Sequence, residues 1–342
     1  MKAAIVEKPG TLAVREIPAP EPGEYGALCE LLYGATCTGT DQHLMAGRFP
    51  WPVAYPTILG HESIGRVMAT GRRVRHLKRG DLVTRVGAPE SPREGLGSNW
   101  GGFAEFGVAA DWRAMVEDGR PEGEWAGHRI NQVLPPGTDP AAATMVITWR
   151  ETLSYITRMG VGAGARLLVI GSGGNGLAFA AHGANAGAAR VAMIGSGDRA
   201  SVARAAGAAD YFDYRAADLD QEVVAAAPDG FDFIIDAVGK RGVLDRALAC
   251  LRPGGTVGIY GIDEFGQCLL NPTRARGTFT YASKGYDEAE MHRRVVDLVG
   301  QGRLKADLWL DLAHPFALAD IGKAFETVRA RKTVKALVRL TA

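Results

Sequence analysis

Two groups of residues in this 342-residue chain have the types and spacing that chemistry needs. The first is a run of glycines. The apolar run Leu167 to Ile170 ends in Gly171-Ser172-Gly173-Gly174-Asn175-Gly176, so that G-x-G-x-x-G spacing stands between a short buried-type strand and an Ala-rich helical stretch. In that setting Gly171 permits a tight turn, Gly173 lets the backbone approach a pyrophosphate, and Gly176 lets helix and strand pack closely. Gly174 and Asn175 open the helix whose N-terminal N–H groups face the phosphates. The second group joins Thr40-Asp41-Gln42-His43 to the downstream Gly60-His61-Glu62. A hydroxyl that donates or accepts, beside an imidazole that titrates near neutral pH, is what alcohol–ketone interconversion requires.

The elements that must position these residues follow from the rhythm of the chain. Residues 1–145 carry short apolar runs (Ala3 to Val6, Ala27 to Tyr33, Ser63 to Met68, Leu82 to Val86, Ala104 to Ala109) broken by Gly and Pro, which predicts a β-rich domain. Residues 146–282 alternate strand-like runs, at Leu167–Ile170, Val191–Ile194, Phe231–Val238 and Thr256–Tyr260, with Ala-rich helical segments. That pattern predicts βαβ units and a parallel sheet, so the fold class is α/β. Residues 283–342 add two helical stretches and a closing strand, Val334 to Leu340. Asp232 and Asp236 read as strand-end residues.

A formal net charge of +1 and a pI near 7.7 leave no electrostatic footprint for nucleic acid or an anionic membrane. Cys29, Cys37, Cys250 and Cys268 are scattered and form no C-x-x-C pair, which argues against a disulfide framework or a structural zinc and for a reducing compartment. No apolar leader and no run of about 18 apolar residues is present, so a cytoplasmic location is expected.

The opening MKAAIVEKPGTLAVREIPAPEPGEYGALCEL, the pair ILGHESIGRV and RRVRHLKRGDLV, then GGFAEFGV, the glycine turn, and FDFIIDAVG followed by LRPGGTVGIYG resemble the medium-chain dehydrogenase/reductase superfamily, in its zinc-type alcohol dehydrogenase group. The resemblance spans essentially the whole chain. It implies a GroES-like catalytic domain over 1–145, a Rossmann domain over 146–282 and a C-terminal return to the catalytic domain over 283–342. It also implies a homodimer or homotetramer acting on a small molecule. The stretch CTGTDQHLMAGRFPWPVAYPTILGHESIGRV is similar to the subgroup containing bacteriochlorophyllide a dehydrogenase and, more weakly, to sugar and polyol dehydrogenases.

The family pattern around its metal is C-x-[ST]-D-x-H with G-H-E downstream. Aligned on Thr40-Asp41-Gln42-His43, Thr38 takes the place of the ligand cysteine and Cys37 stands one position early, which in an extended segment points it to the opposite face. His61 and Glu62 match the G-H-E pair, and Ile147 falls where a third ligand is usual. Zinc is therefore not expected, a rebuilt set of Cys37, His61, Glu62 and Glu151 being the alternative. Without a metal, His61 and Glu62 also read as a buried hydrogen-bonded pair. The resemblance assigns Thr40 to the reacting oxygen and His43 to proton transfer; in a site without metal, His61 and Thr38 are further candidate donors. Read without the family, His43 fits a surface loop and Thr40-Asp41 a turn. Trp51, Asn99, Trp100, Phe103 and Trp149 are pocket candidates by family position, and Val238, Tyr260 and Gly261 fall at the strand ends that meet nicotinamide.

The end of the second Rossmann strand reads Gly195-Ser196-Gly197-Asp198-Arg199. A glycine replaces the acid that binds the NAD ribose, while Ser196 and Arg199 suit a 2′-phosphate, so NADP(H) is expected in preference to NAD(H). Asp198 is the residue that would favour NAD. The expected activity is NAD(P)(H)-dependent interconversion of a secondary alcohol and a ketone on a cyclic polyol, sugar or similar molecule. Zinc-free quinone or enone reduction, and a cofactor-binding sensor without turnover, are the alternatives.

Overall fold

A computed structural model describes residues 1–341. Its N-terminal half is arranged around the strand Gly26–Ala35, whose apolar side chains are largely buried. That strand pairs antiparallel with Glu62–Thr70, Phe106–Ala110 and Leu337–Arg339. A second sheet, in the order Thr11–Glu16, Lys2–Lys8, Thr57–Ile58, Gly97–Ser98, packs its inner face on the same core. Ile5, Leu31, Leu44, Ile58 and Phe103 meet there, with Phe103 set edge-on to Phe325 at 6.0 Å. The registers matter for the site. Ala35 lies opposite both Glu62 and Leu337, so three segments far apart in the chain end side by side.

The second compact unit carries a six-stranded, all-parallel sheet in the order Asp210–Asp213, Arg190–Gly195, Arg166–Ile170, Phe231–Asp236, Leu251–Ile259, Thr280–Tyr281. Numbered along the chain this is 3-2-1-4-5-6, the Rossmann order, with the topological switch between Arg166–Ile170 and Phe231–Asp236. Near-continuous apolar runs such as Leu167–Ile170 suit strands covered on both faces.

The first unit comprises residues 1–147, 292–300 and 305–342, and the second residues 148–291 and 301–304. The return to the first unit thus falls later than residue 282. The physical reason is that the segment after Thr280–Tyr281 is tied back to the helix Met145–Met159. Ser154 donates to Glu290 at 2.6 Å, Arg158 pairs with Glu290 at 3.0 Å, and buried Arg150 faces Glu288 at 3.5 Å. Among the described residues no helix is long and apolar enough to cross a membrane.

The glycine turn has the backbone that its residues imply. Gly171 sits at φ +106°, and the helix Gly174–Asn185 starts directly after Gly173. A Cβ on Gly176 would overlap the Gly171 carbonyl, which is backbone and has nowhere to move. Asp232 and Asp236 do end-of-strand work: Asp232 accepts from Arg166 N at 2.6 Å, and Asp236 accepts from Val238 N and Gly239 N at 2.8 and 2.9 Å. Gly176→Ala should therefore destabilise the protein by about 1–3 kcal/mol through overpacking. Denaturant unfolding of the variant against the parent checks this, and an unchanged midpoint would contradict the close approach.

Candidate active site

The site starts where the strand Gly26–Ala35 stops. Beyond Ala35 the chain turns through Thr38-Gly39 into the seven-residue helix Thr40–Ala46, which Gly47 ends at φ +66°. Asp41, in the first turn of that helix, is fully buried, and its two oxygens serve different partners. One accepts Cys37 N at 2.8 Å and the other meets His61 Nδ1 at 3.1 Å. The carboxylate thereby holds both segments together and leaves His61 Nε2 to face inward. Cys37, His61 and Glu62, all buried, have donor atoms within 4.8 Å of one another.

This corrects the expected direction of Cys37. The alternation rule applies only inside a strand, and the strand has ended two residues earlier, so the one-position slip is absorbed by the turn. Thr38 is exposed at that turn instead of standing in the cysteine's place. Glu151 belongs to the parallel-sheet unit, where it accepts a hydrogen bond from the Tyr260 hydroxyl at 3.2 Å. Ile147 is buried as core. The expectation of a zinc-free site rested on Cys37 facing away and on Ile147 in place of a third ligand; the first ground is removed, and Ile147 still offers no donor.

The Cys37 thiol and the His61 imidazole are donor types that a catalytic zinc takes, and the Glu62 carboxylate is a third donor within reach of the same position. The Asp41 contact on His61 Nδ1 is the second-layer support that metal-bound imidazoles receive. Burial alone would lower the pKa of His61, but the neighbouring Asp41 carboxylate outweighs it, with Cys37 adding to the effect, and the imidazole is held well above its ordinary value. Glu62 has another cation beside it. Lys335 Nζ lies 2.7 and 2.6 Å from its two oxygens, and both side chains are buried. Burial opposes the charge on Lys335, Glu62 favours it more, and its pKa is raised.

Thr40 is the first residue of the helix Thr40–Ala46 and partly buried. His43 is buried in the same helix, not in a surface loop, and its Nδ1 lies 2.8 Å from Gly39 O. A carbonyl only accepts, so in the neutral ring Nδ1 carries the proton and Nε2 is the acceptor. An aromatic wall adjoins the donor set: the Trp100 ring is 5.3 Å from that of His61, and Phe49 lies 6.3 Å from Trp100 and 5.1 Å from Trp51. Trp51 and Trp100 are 50% and 42% exposed. Trp100 has φ +65°, and its loop is held against Gly87, where a Cβ would overlap the Trp100 carbonyl. Phe103 and Trp149, by contrast, are core, and Asn99 donates to Thr57 Oγ1 at 2.8 Å.

In the parallel-sheet unit, Gly171 and Val238 flank the switch point, and the turns at Gly239 and Gly261 touch backbone to backbone. A Cβ on Gly195 would overlap Ser172 Oγ and the Tyr211 hydroxyl, so a side chain there would have to displace both. This cradle, closed to any side chain, fits a dinucleotide. Ser196 Oγ donates to Asp198 at 3.3 Å and accepts from Arg215 Nη2 at 3.2 Å, while Arg199 sits close enough to Tyr211 to influence its hydroxyl. Arg215 was not evident beforehand; it follows the third strand and has no spacing signature. Arg85 and Lys335 were missed as well. Arg85 donates to His61 O at 3.0 Å, and Lys335 lies 273 residues beyond Glu62.

Comparisons with known proteins agree with these two units. Residues 28–117 match the family described as alcohol dehydrogenase GroES-like domain, and residues 174–298 match zinc-binding dehydrogenase. L-galactonate-5-dehydrogenase of Escherichia coli (strain K12) is 25% identical over 99% of this chain and 98% of its own. D-arabinitol dehydrogenase 1 of Uromyces fabae is 25% identical over 99% of this chain and 97% of its own. Among solved structures, a candidate zinc-binding dehydrogenase from Sinorhizobium meliloti 1021 bound to NADP shares the fold at a TM-score of 0.79, with 24% identity over 99% and 98% of the two chains.

Zinc binding should depend on pH with a definite sign. Below its raised pKa, His61 holds a proton that a metal must expel, so affinity is lost as pH falls. Chelator competition between about pH 6 and about pH 8 should show zinc affinity rising about tenfold per pH unit for each proton displaced. A flat profile would mean that His61 is not a ligand.

Proposed function

We propose that this chain, which belongs to the zinc-type medium-chain alcohol dehydrogenase superfamily, interconverts a secondary alcohol and a ketone on a sugar, polyol or similar hydroxylated molecule, using NADP(H) in preference to NAD(H). The observation that carries the reading is the convergence of Cys37, His61 and Glu62, with Asp41 behind them. Zinc held through Cys37 and His61 would supply Lewis-acid polarisation of the reacting oxygen, and the nicotinamide would supply or accept the hydride.

The chain's own residues handle the proton and the orientation. Thr40 opens the helix on which His43 stands three residues later, and residues so spaced share a helix face. Thr40 then donates to or accepts from the substrate oxygen, and His43 Nε2 takes the proton while Gly39 fixes its tautomer. Phe49, Trp51 and Trp100 offer flat apolar faces to the C–H side of a hydroxylated chain or ring. The names of the two relatives, a galactonate and an arabinitol dehydrogenase, support the same substrate class. Homodimer or homotetramer assembly belongs to this proposal, and sedimentation velocity decides it.

For the cofactor, Arg199 and Arg215 near Ser196 supply the positive charge that a 2′-phosphate prefers. Arg199→Ala and Arg215→Ala should each weaken NADPH binding about tenfold, roughly 1.4 kcal/mol, and leave NADH within about threefold. Fluorescence titration of both nucleotides reads this, and NADH binding tighter than NADPH in the parent protein would reverse the assignment. For the reaction, sugars, polyols, cyclic ketones and enones form the panel. Thr40→Ala and His43→Ala should each lower alcohol or ketone turnover about 100-fold or more. Activity on enones alone, indifferent to both substitutions, would replace the proposal by enone reduction. Cofactor binding with no turnover would leave a sensor.

A further inference from the structure

The cation buried against Glu62 has no part in the scheme above. Lys335 Nζ lies 2.7 and 2.6 Å from the two Glu62 oxygens and 3.3 Å from Thr36 O, which engages all three ammonium hydrogens. The lysine is 1% exposed and the glutamate 2%. Its place is fixed by backbone on both sides: Lys335 N donates to Trp309 O at 3.1 Å, and Ala336 N donates to Thr36 Oγ1 at 2.9 Å. Leu337 then pairs with Ala35, so the closing strand delivers the ammonium to the end of the central strand.

We propose that Lys335 holds the Glu62 carboxylate back from the metal position, so that zinc rests on Cys37 and His61 among protein side chains and is bound more weakly than three donors would bind it. Geometry and charge both lead there. The nearer Glu62 oxygen is 3.9 Å from His61 Nε2, while Lys335 Nζ lies within 2.7 Å of both Glu62 oxygens. Closing that gap would draw both carboxylate oxygens off a buried ammonium or place a dication beside it, and a buried ion pair is strongly held once formed. Lys335 is therefore a positioning residue for Glu62. The proposal rests on Cys37, His61 and Glu62 being the reaction centre, but on no choice of substrate or cofactor.

The test is the zinc dissociation constant of the purified full chain, by chelator competition without substrate, together with the visible spectrum of the cobalt(II) form. Lys335→Met removes the charge at similar volume and should tighten zinc at least about tenfold, with a cobalt spectrum changed by a third protein ligand. Lys335→Arg keeps the charge and should leave the constant within about threefold. Glu62→Gln in the presence of Lys335 should also change it by less than about threefold. An unchanged or weaker constant for Lys335→Met, or a loss of about 100-fold for Glu62→Gln, overturns the proposal. Should Lys335→Met fail to fold, Lys335→Met with Glu62→Gln removes both charges and should bind zinc within about threefold of the parent, a loss of about 100-fold again overturning it. Because zinc binding is read without turnover, failure of the substrate panel would leave this result standing, and the reverse holds too.

Discussion

The Asp41 carboxylate is the group on which the site depends. It is fully buried and is shared between the backbone of Cys37 and the ring of His61. A buried charge of this kind persists only when it is hydrogen-bonded. Asp41 meets that condition by tying the turn after one strand to the residue before another. Cys37 and His61 are therefore brought together by the same contacts that make Asp41 tolerable in the interior.

A second buried charge extends the same logic across the length of the chain. Glu62 follows His61 and is met by Lys335 from the closing strand. The C-terminal segment thus does more than complete a sheet: it sets the balance of charge beside the donor set. The tight approaches around the Trp100 loop, at Gly87 and Gly60, hold the aromatic wall in place, which is why positive φ is tolerated at a tryptophan there.

In the parallel-sheet unit the constraint is steric where the other is electrostatic. Gly171, Gly176, Gly195 and Gly261 stand where a Cβ would meet backbone or a neighbouring side chain at close range, so the turns at the carboxyl ends of the strands stay open to a flat, charged ligand. Ser196, Arg199 and Arg215 gather beside the end of the second strand, with Arg215 donating to the Ser196 hydroxyl.

The glycine spacing, the alternation of strand and helix patterns and the pair His61-Glu62 were legible in the linear chain because each is a local pattern with a local cause. Period, turn chemistry and peptide sterics act over a few residues. The direction of Cys37 was not legible, because it depends on where the strand Gly26–Ala35 stops, and register reasoning carried beyond that end gave the wrong face. Lys335 and Arg215 carry no motif. Their roles arise from strand pairing and from the loop after a third strand, contacts separated by 273 and 19 residues, which only the folded chain brings within hydrogen-bonding distance.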